Sequence, residues 1–181
     1  MKQRILLTSF DIWLPHQPSN SSDDVLIEVG KLNSLPYDLT FWRQLPVDVQ
    51  LASSQVIAKI ALFQPTHIIC CGMAESRQQL SVEKNARSTG ILPVVSPANS
   101  PDILQTTVDL EQLVAGSRAI EISDDCGKFV CEGLYYSVLD YLRQRQPIVP
   151  CIFVHVPILT PENLEVIFTD FLLIIHQMAL L

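Results

Sequence analysis

The stretch C-G-K-F-V-C-E-G-L-Y-Y-S-V-L-D-Y-L, residues 126–142, places Cys131 in the opening turn of a segment whose spacing predicts a helix from about Phe129 to Gln144. Val130, Leu134, Val138 and Leu142 recur at i, i+4 as a stripe to be buried, with Asp140 and Arg143 expected to face water. A helix N-terminus carries about half a positive charge and several unpaired N–H groups. A thiol there is expected to have a lowered pKa, and the same amides could hold an oxyanion. The alternative is a small buried thiol packing as an apolar side chain. His155 ends the apolar run C-I-F-V-H-V-P just before Pro157, and Glu83 closes L-S-V-E-K. Taken singly, His155 reads equally as an inert, hydrogen-bonded histidine, and Glu83 reads more readily as an exposed edge residue. Together with Cys131 they make the set a cysteine hydrolase needs: a nucleophile, an imidazole to move its proton, and an acid to orient the imidazole. A zinc site from Cys126, Cys131 and His155 is the weaker reading, because C-x-x-x-x-C is a loose spacing without a second close pair. No metal or other cofactor is expected, and the adjacent Cys70 and Cys71 read as buried packing residues.

The elements that must position these groups alternate along the chain. Strands are predicted over Arg4 to Thr8, Leu39 to Leu45, Thr66 to Cys71, Gln79 to Glu83, Ser117 to Ile122 and Pro150 to Val156. Several are apolar throughout, as strands covered on both faces are. Helices are predicted over Ser22 to Leu32, Asp48 to Phe63, Val108 to Val114, Phe129 to Gln144 and Glu162 to Leu181. This alternation argues for a three-layer α/β/α sandwich with a mostly parallel central sheet, formed as one domain over residues 1–181. Functional groups should then gather where strands end and helices begin. Gly90 to Pro101, with three prolines and no periodicity, reads as a loop.

Composition narrows the partners. A net charge of −7 with no run of lysines or arginines argues against nucleic acid and against anionic membrane surfaces. The most apolar piece, Phe168 to Leu181, is interrupted by Asp170, His176 and Gln177 and is shorter than the about 20 residues a membrane span needs. The first ten residues lack a signal-peptide core, and five irregularly spaced cysteines read as free thiols, so a cytoplasmic location is expected. Small molecules or peptides are the better partners. The last helix, apolar on more than one face, is expected to offer a surface for a homo-oligomer.

At this point the sequence resembles pyroglutamyl peptidase I, or pyrrolidone-carboxylate peptidase, a family of cytosolic cysteine exopeptidases. I-L-L-T-S-F-D-I-W is similar to the family's opening T-G-F-D/E-P-F-G-G. H-I-I-C-C-G-M-A-E-S-R followed by L-S-V-E-K resembles its strand, G-Q-A-G-G-R turn and I-S/T-V/I-E-R run. The 126–142 stretch resembles S-N-x-A-G-x-Y/F-V/L-C-N-x-x-x-Y, and C-I-F-V-H-V-P-I-L resembles F-I/V-H-V/I-P. The resemblance implies Cys131 as nucleophile, His155 as general acid–base and Glu83 as its orienting acid, releasing an N-terminal pyroglutamyl residue through a thioester. It also implies a peptide or small amide substrate, and a lactam pocket with Phe10 and Trp13 as aromatic walls and Met73 beside the substrate.

The chain departs from the pattern where substrate would bind. Ser9, Leu14 and Pro15 replace loop glycines, Met73 replaces a glutamine, and Glu75 and Ser76 replace glycines. Glu132, in place of an asparagine, is expected to raise the pKa of the neighbouring thiol. The segment from Asn85 to Pro101 does not follow the family's A-x-N pattern, so neither Arg87 nor a neighbour is assigned to the oxyanion. Two rival functions remain open: a non-catalytic binding or scaffold protein on the same fold, and a cysteine amidase for another small acyl group.

Overall fold

The computed structural model describes residues 2–32, 35–88 and 101–181. Most of the expected loop at 90–101 lies outside the described residues. Six strands form one sheet: β1 (Arg4–Phe10), β2 (Asp38–Leu45), β3 (His67–Met73), β4 (Leu80–Glu83), β7 (Ile120–Ser123) and β8 (Cys151–Val156). Their spatial order is β2-β1-β3-β8-β4-β7. Every neighbouring pair is parallel except β4 and β8, which run antiparallel. Two short strands that the sequence reading did not anticipate, β5 (Asn85–Arg87) and β6 (Ile103–Gln105), make a separate antiparallel ribbon. At three residues each they are too short to show a period.

Helices cover both faces, as an α/β/α sandwich requires. On one side lie α2 (Val49–Phe63) and α4 (Val130–Arg143); on the other lie α1 (Ser21–Gly30), α3 (Leu110–Leu113) and α5 (Leu164–Ala179). Strand side chains alternate between the two cores. Leu6, Ile68, Cys70 and Phe153 pack with α2 and α4, whereas Ile5, Leu7, Ile69, Ile152 and Val154 pack with α1 and α5. Several helices begin at side-chain caps: Asn20 accepts from the Ser22 amide, Asp48 from Leu51 and Asp109 from Gln112. The α2 helix ends on Gln64 in the left-handed region at φ 50°.

The expected stripe of α4, from Val130 through Leu134 and Val138 to Leu142, is buried. Asp140 is a correction: it is 1% exposed rather than facing water, paired with Arg143 at 2.7 Å and accepting from Gln144. The long arginine stem reaches over from the edge and neutralises a carboxylate that the helical spacing alone assigns to solvent. In α5, Ile167, Phe171, Ile174, Ile175 and Met178 are all fully buried against the sheet, so much of its apolar surface is satisfied within the chain. Among the described residues no helix is long and apolar enough to cross a membrane.

The crossing of α2 and α4 sets where the N-terminus of α4 sits. Gly133 has no side chain there because a Cβ would lie 2.7 Å from Val49 Cγ1 and 2.8 Å from Cγ2. Gly133→Ala is therefore expected to lower stability by about 1–3 kcal/mol through overpacking, despite alanine's better helix propensity. Urea unfolding checks this, and Val49→Ala in the same background should recover part of the loss; a gain in stability for Gly133→Ala would refute the close contact.

Candidate active site

Three strand ends and one helix start converge on the α4 face of the sheet. Cys131 is the second residue of α4, and the capping residue Phe129 makes no side-chain hydrogen bond to the first turn. No side chain of the cap therefore occupies those amides. The half-buried thiol lies over Gly72 of β3: a Cβ at Gly72 would come 2.8 Å from Cys131 Sγ and 3.0 Å from the Phe153 ring. Glycine here makes the room in which the sulfur sits.

Gly72 is the register partner of His155 on β8, and His155 in turn faces Ser81 on β4. Because β4 is antiparallel to β8, Glu83 falls opposite Phe153, two residues from His155 on the same face. This diagonal brings Glu83 Oε1 to 2.7 Å from His155 Nδ1. An ionised carboxylate can only accept, so the ring donates from Nδ1 and leaves Nε2 for other chemistry. The sequence placed all three groups near strand or helix ends; what it lacked was the reversal of β4, which turns a strand-end carboxylate into a neighbour of the imidazole.

Glu83 is wholly buried, and a buried carboxylate needs partners. Besides His155, its Oε1 accepts from Arg77 Nη1 at 2.7 Å. Arg77 Nη2 also donates to Ser123 Oγ at 3.2 Å and to the Asp125 carbonyl at 2.5 Å, tying β4 to the segment that leads into α4. Arg77 was not singled out by the sequence reading. The signal was present, as an arginine closing A-E-S-R six residues before the acid.

Phe10, Trp13 and Met73, expected to wall the substrate pocket, do line one cavity of about 230 Å³ with Cys131 and His155. Asn20, Val47, Cys126 and Phe129 are among the lining residues that the sequence gives no reason to expect there. Phe129 is half exposed and its ring lies 5.4 Å from that of Trp13. The altered turn helps to build this wall. Glu75 accepts from Gln17 Nε2 at 2.7 Å, and Gln17 Oε1 accepts from the amides of Trp13 at 3.3 Å and Leu14 at 3.2 Å. Met73 Sδ accepts from the Ser21 amide at 3.5 Å, anchoring its side chain against the start of α1. Ser9 donates to Asp23 at 2.6 Å, beside the two-pronged Arg43 to Asp23 pair.

Two electrostatic expectations are corrected. Burial pushes the Cys131 thiol up to about 12 rather than down, and the ionised Glu83 adds to this. Arg77 and the amide of Cys131 itself pull the other way, so the helix-terminus effect exists but is outweighed by desolvation. Glu132 is not the carboxylate responsible. It is buried and turned to Arg87, accepting from that amide at 3.0 Å with Nη1 at 3.9 Å. The side chain of Arg87 donates to the Asp124 carbonyl at 3.3 Å.

Ligand atoms of Glu83, Cys126 and His155 lie within 4.8 Å of one another. A cation there would meet the Arg77 guanidinium on the same carboxylate, and the ring nitrogen facing Glu83 is already engaged.

No protein-family model matches the chain. It is 27% identical over 174 residues to the pyrrolidone-carboxylate peptidase of Brevibacillus brevis, covering 88% of this chain and 80% of that protein. It is 31% identical over 136 residues to the pyrrolidone-carboxylate peptidase of Erwinia tasmaniensis, covering 67% of this chain and 62% of that one. The fold matches pyroglutamyl peptidase I from Bacillus amyloliquefaciens with a TM-score of 0.83 at 21% identity, over 100% of this chain and 97% of the other. A mutant pyrrolidone carboxyl peptidase from Pyrococcus furiosus superposes with a TM-score of 0.81 at 17% identity, over 98% of each chain.

The buried thiols make stability depend on pH. An unfolded cysteine ionises near 9.0, whereas folded Cys131 holds its proton to about 12, and burial pushes Cys71, Cys126 and Cys151 up as well. The native state thus keeps protons that the unfolded chain releases. Its stability is fully present below about pH 9 and is lost as pH rises from there toward about 12. The urea midpoint is expected to fall between about pH 8 and about pH 10, and to fall less in Cys131→Ser; equal slopes for the two proteins would contradict the assignment to Cys131.

Proposed function

We propose, from the premise that this chain belongs to the pyrrolidone-carboxylate peptidase family, that it is a cysteine exopeptidase releasing an N-terminal pyroglutamyl residue through a thioester on Cys131. The observation that carries this reading is the 2.7 Å contact between His155 Nδ1 and Glu83 Oε1, with Cys131 opening a helix on the same cavity. With Nδ1 held by the acid, His155 presents Nε2 as the base for the Cys131 proton. The high pKa of the resting thiol means that no thiolate waits in the empty site. The proton leaves as the sulfur attacks the lactam-bearing carbonyl, and His155 then returns it to the departing amine. Water, deprotonated by the same nitrogen, hydrolyses the thioester.

In this scheme Glu83 orients the ring and stabilises the imidazolium, while Arg77 donates to the same carboxylate oxygen. The first-turn amides of α4 are the donors for the oxyanion that forms beside Cys131. Phe10, Trp13 and Phe129 supply the flat apolar surface that a lactam ring needs. In this reading the protein acts in the cytoplasm on peptides or small amides.

Met73 favours a second reading, a cysteine amidase for a different small acyl group, since a thioether stands where the resemblance implies an amide partner for the lactam. Loss of one buried polar partner costs roughly 1–3 kcal/mol, on the order of 5- to 150-fold in rate. Wild type is therefore expected to hydrolyse a chromogenic pyroglutamyl amide weakly, Met73→Gln to raise kcat/KM within that range, and Cys131→Ser to abolish turnover. If wild type does not exceed the Cys131→Ser background and Met73→Gln restores nothing, the peptidase reading fails and a binding protein on this fold takes its place.

Arg77 carries a second test. Arg77→Met removes the partner of a buried charge, and is expected to cost about 3–5 kcal/mol of stability. It should also lower kcat more than it raises KM, because the imidazole loses its fixed acid; a KM effect alone would make Arg77 a pocket residue instead.

A further inference from the structure

We propose that Cys126 is a resolving thiol for Cys131, closing a reversible disulfide with it after oxidation by a hydroperoxide. Acyl transfer needs one thiol, yet the cavity is lined by two. Cys126 stands where the resembling motif has alanine, in C-G-K-F-V-C against A-G-x-Y/F-V/L-C, so the second sulfur is a feature of this chain. Its side chain is 1% exposed and lies within 4.8 Å of ligand atoms of both Glu83 and His155. Cys131 Sγ lies over Gly72, the strand neighbour of His155. Both sulfurs thus line the cavity that His155 also lines. Gly127, at φ 90° in the left-handed region, turns the chain between them. After burial, the charge of Cys131 is the next influence that raises the Cys126 pKa, as expected of neighbouring sulfurs.

The chemistry divides between the two by exposure. Cys131 is half-buried at the cavity, and Cys126 is shielded, so oxidant meets Cys131 first. His155 takes the Cys131 proton, and the thiolate attacks the terminal oxygen of the hydroperoxide, breaking the O–O bond. The products are a sulfenic acid and an alcohol. Cys126 then loses its proton to His155 and attacks the Cys131 sulfur, and the S–O bond breaks with hydroxide leaving as water. The net change is two thiols oxidised by two electrons, and one hydroperoxide reduced to alcohol and water. Without Cys126 the sulfenic acid would go on to the sulfinic level, which thiol reductants do not reverse. The consequence for activity rests on the peptidase reading above, whereas the cross-link does not.

Lys128 makes the cross-link directly readable, because trypsin cuts between the two cysteines and places them in peptides 119–128 and 129–143. After treatment of the full chain with hydrogen peroxide and digestion without reductant, these two peptides are expected to appear joined, and to separate on reduction. Wild type should lose pyroglutamyl amide turnover on oxidation and regain most of its own untreated rate with dithiothreitol. Cys126→Ala and Cys126→Ser, each compared with its own untreated rate, should lose turnover permanently and show sulfinic Cys131. Absence of the joined peptide, a link from Cys131 to Cys70 or Cys151 instead, or sulfinic Cys131 in wild type to the same extent as in the variants would overturn the proposal. If the joined peptide forms but untreated wild type has no turnover, the resolving role stands and the peptidase reading is what fails.

Discussion

One carboxylate oxygen organises the site. Glu83 Oε1 accepts from both His155 and Arg77 at 2.7 Å, in a position with no solvent exposure. A buried carboxylate with a single neutral partner would be costly. The guanidinium supplies a second, charged donor to the same oxygen, and a carboxylate that accepts commits His155 to donating from Nδ1. Through its bonds to Ser123 and Asp125, the same arginine ties the acid's strand to the segment entering α4. Imidazole orientation and thiol placement are therefore linked by one side chain.

That oxygen reaches the imidazole across the one antiparallel pairing of the six-stranded sheet. The reversal of β4 against β8 sets Glu83 diagonal to His155, and it also lets β7 extend the sheet parallel to β4. The strands themselves were legible: L-S-V-E alternates apolar and polar residues, and C-I-F-V-H-V-P is an apolar run with a clear stop. Strand direction was not, since a run of four residues carries no mark of its sense, and the rule that groups gather at strand ends gave the right neighbourhood for a different geometric reason. The ribbon of β5 and β6 was hidden for the related reason that three residues show no period. Asp140 shows the limit of helical spacing, because Arg143 lies one turn away and makes burial of that carboxylate tolerable.

The thiol illustrates how two correct local arguments can be ordered wrongly without magnitudes. A helix N-terminus does favour a thiolate, and the amide of Cys131 does lower its pKa. Such helix-terminus effects are usually worth about 0.3–1 kcal/mol, up to about 2 when partly buried. Burial of a thiolate costs more, and the nearby Glu83 adds repulsion, so the resting form is the neutral thiol. The sequence shows the helix start but not the depth of the pocket behind it. Depth comes from Gly72 and Phe153, which belong to other elements than the helix, and is visible only once β3 and β8 are paired.

The same reasoning explains why the departures from the resembling pattern cluster in one place without breaking the fold. Glu75, Gln17 and Trp13 form a connected set, in which Glu75 holds Gln17 and Gln17 holds the Trp13 amide, and Met73 is fastened separately to the first amide of α1. A glycine exchanged for Glu75 in isolation would lose a flexible turn, but here its carboxylate gains the job of fixing the loop that carries the aromatic wall. None of these contacts passes through Glu83, His155 or Cys131. The aromatic wall and the Glu83, His155 and Cys131 group are therefore separable in structure: the first is held by side-chain bonds between a loop and a turn, the second by strand register and a helix crossing. Changes in the former alter what fits against Phe10, Trp13 and Phe129 while leaving the distance between imidazole and acid to be set by the sheet.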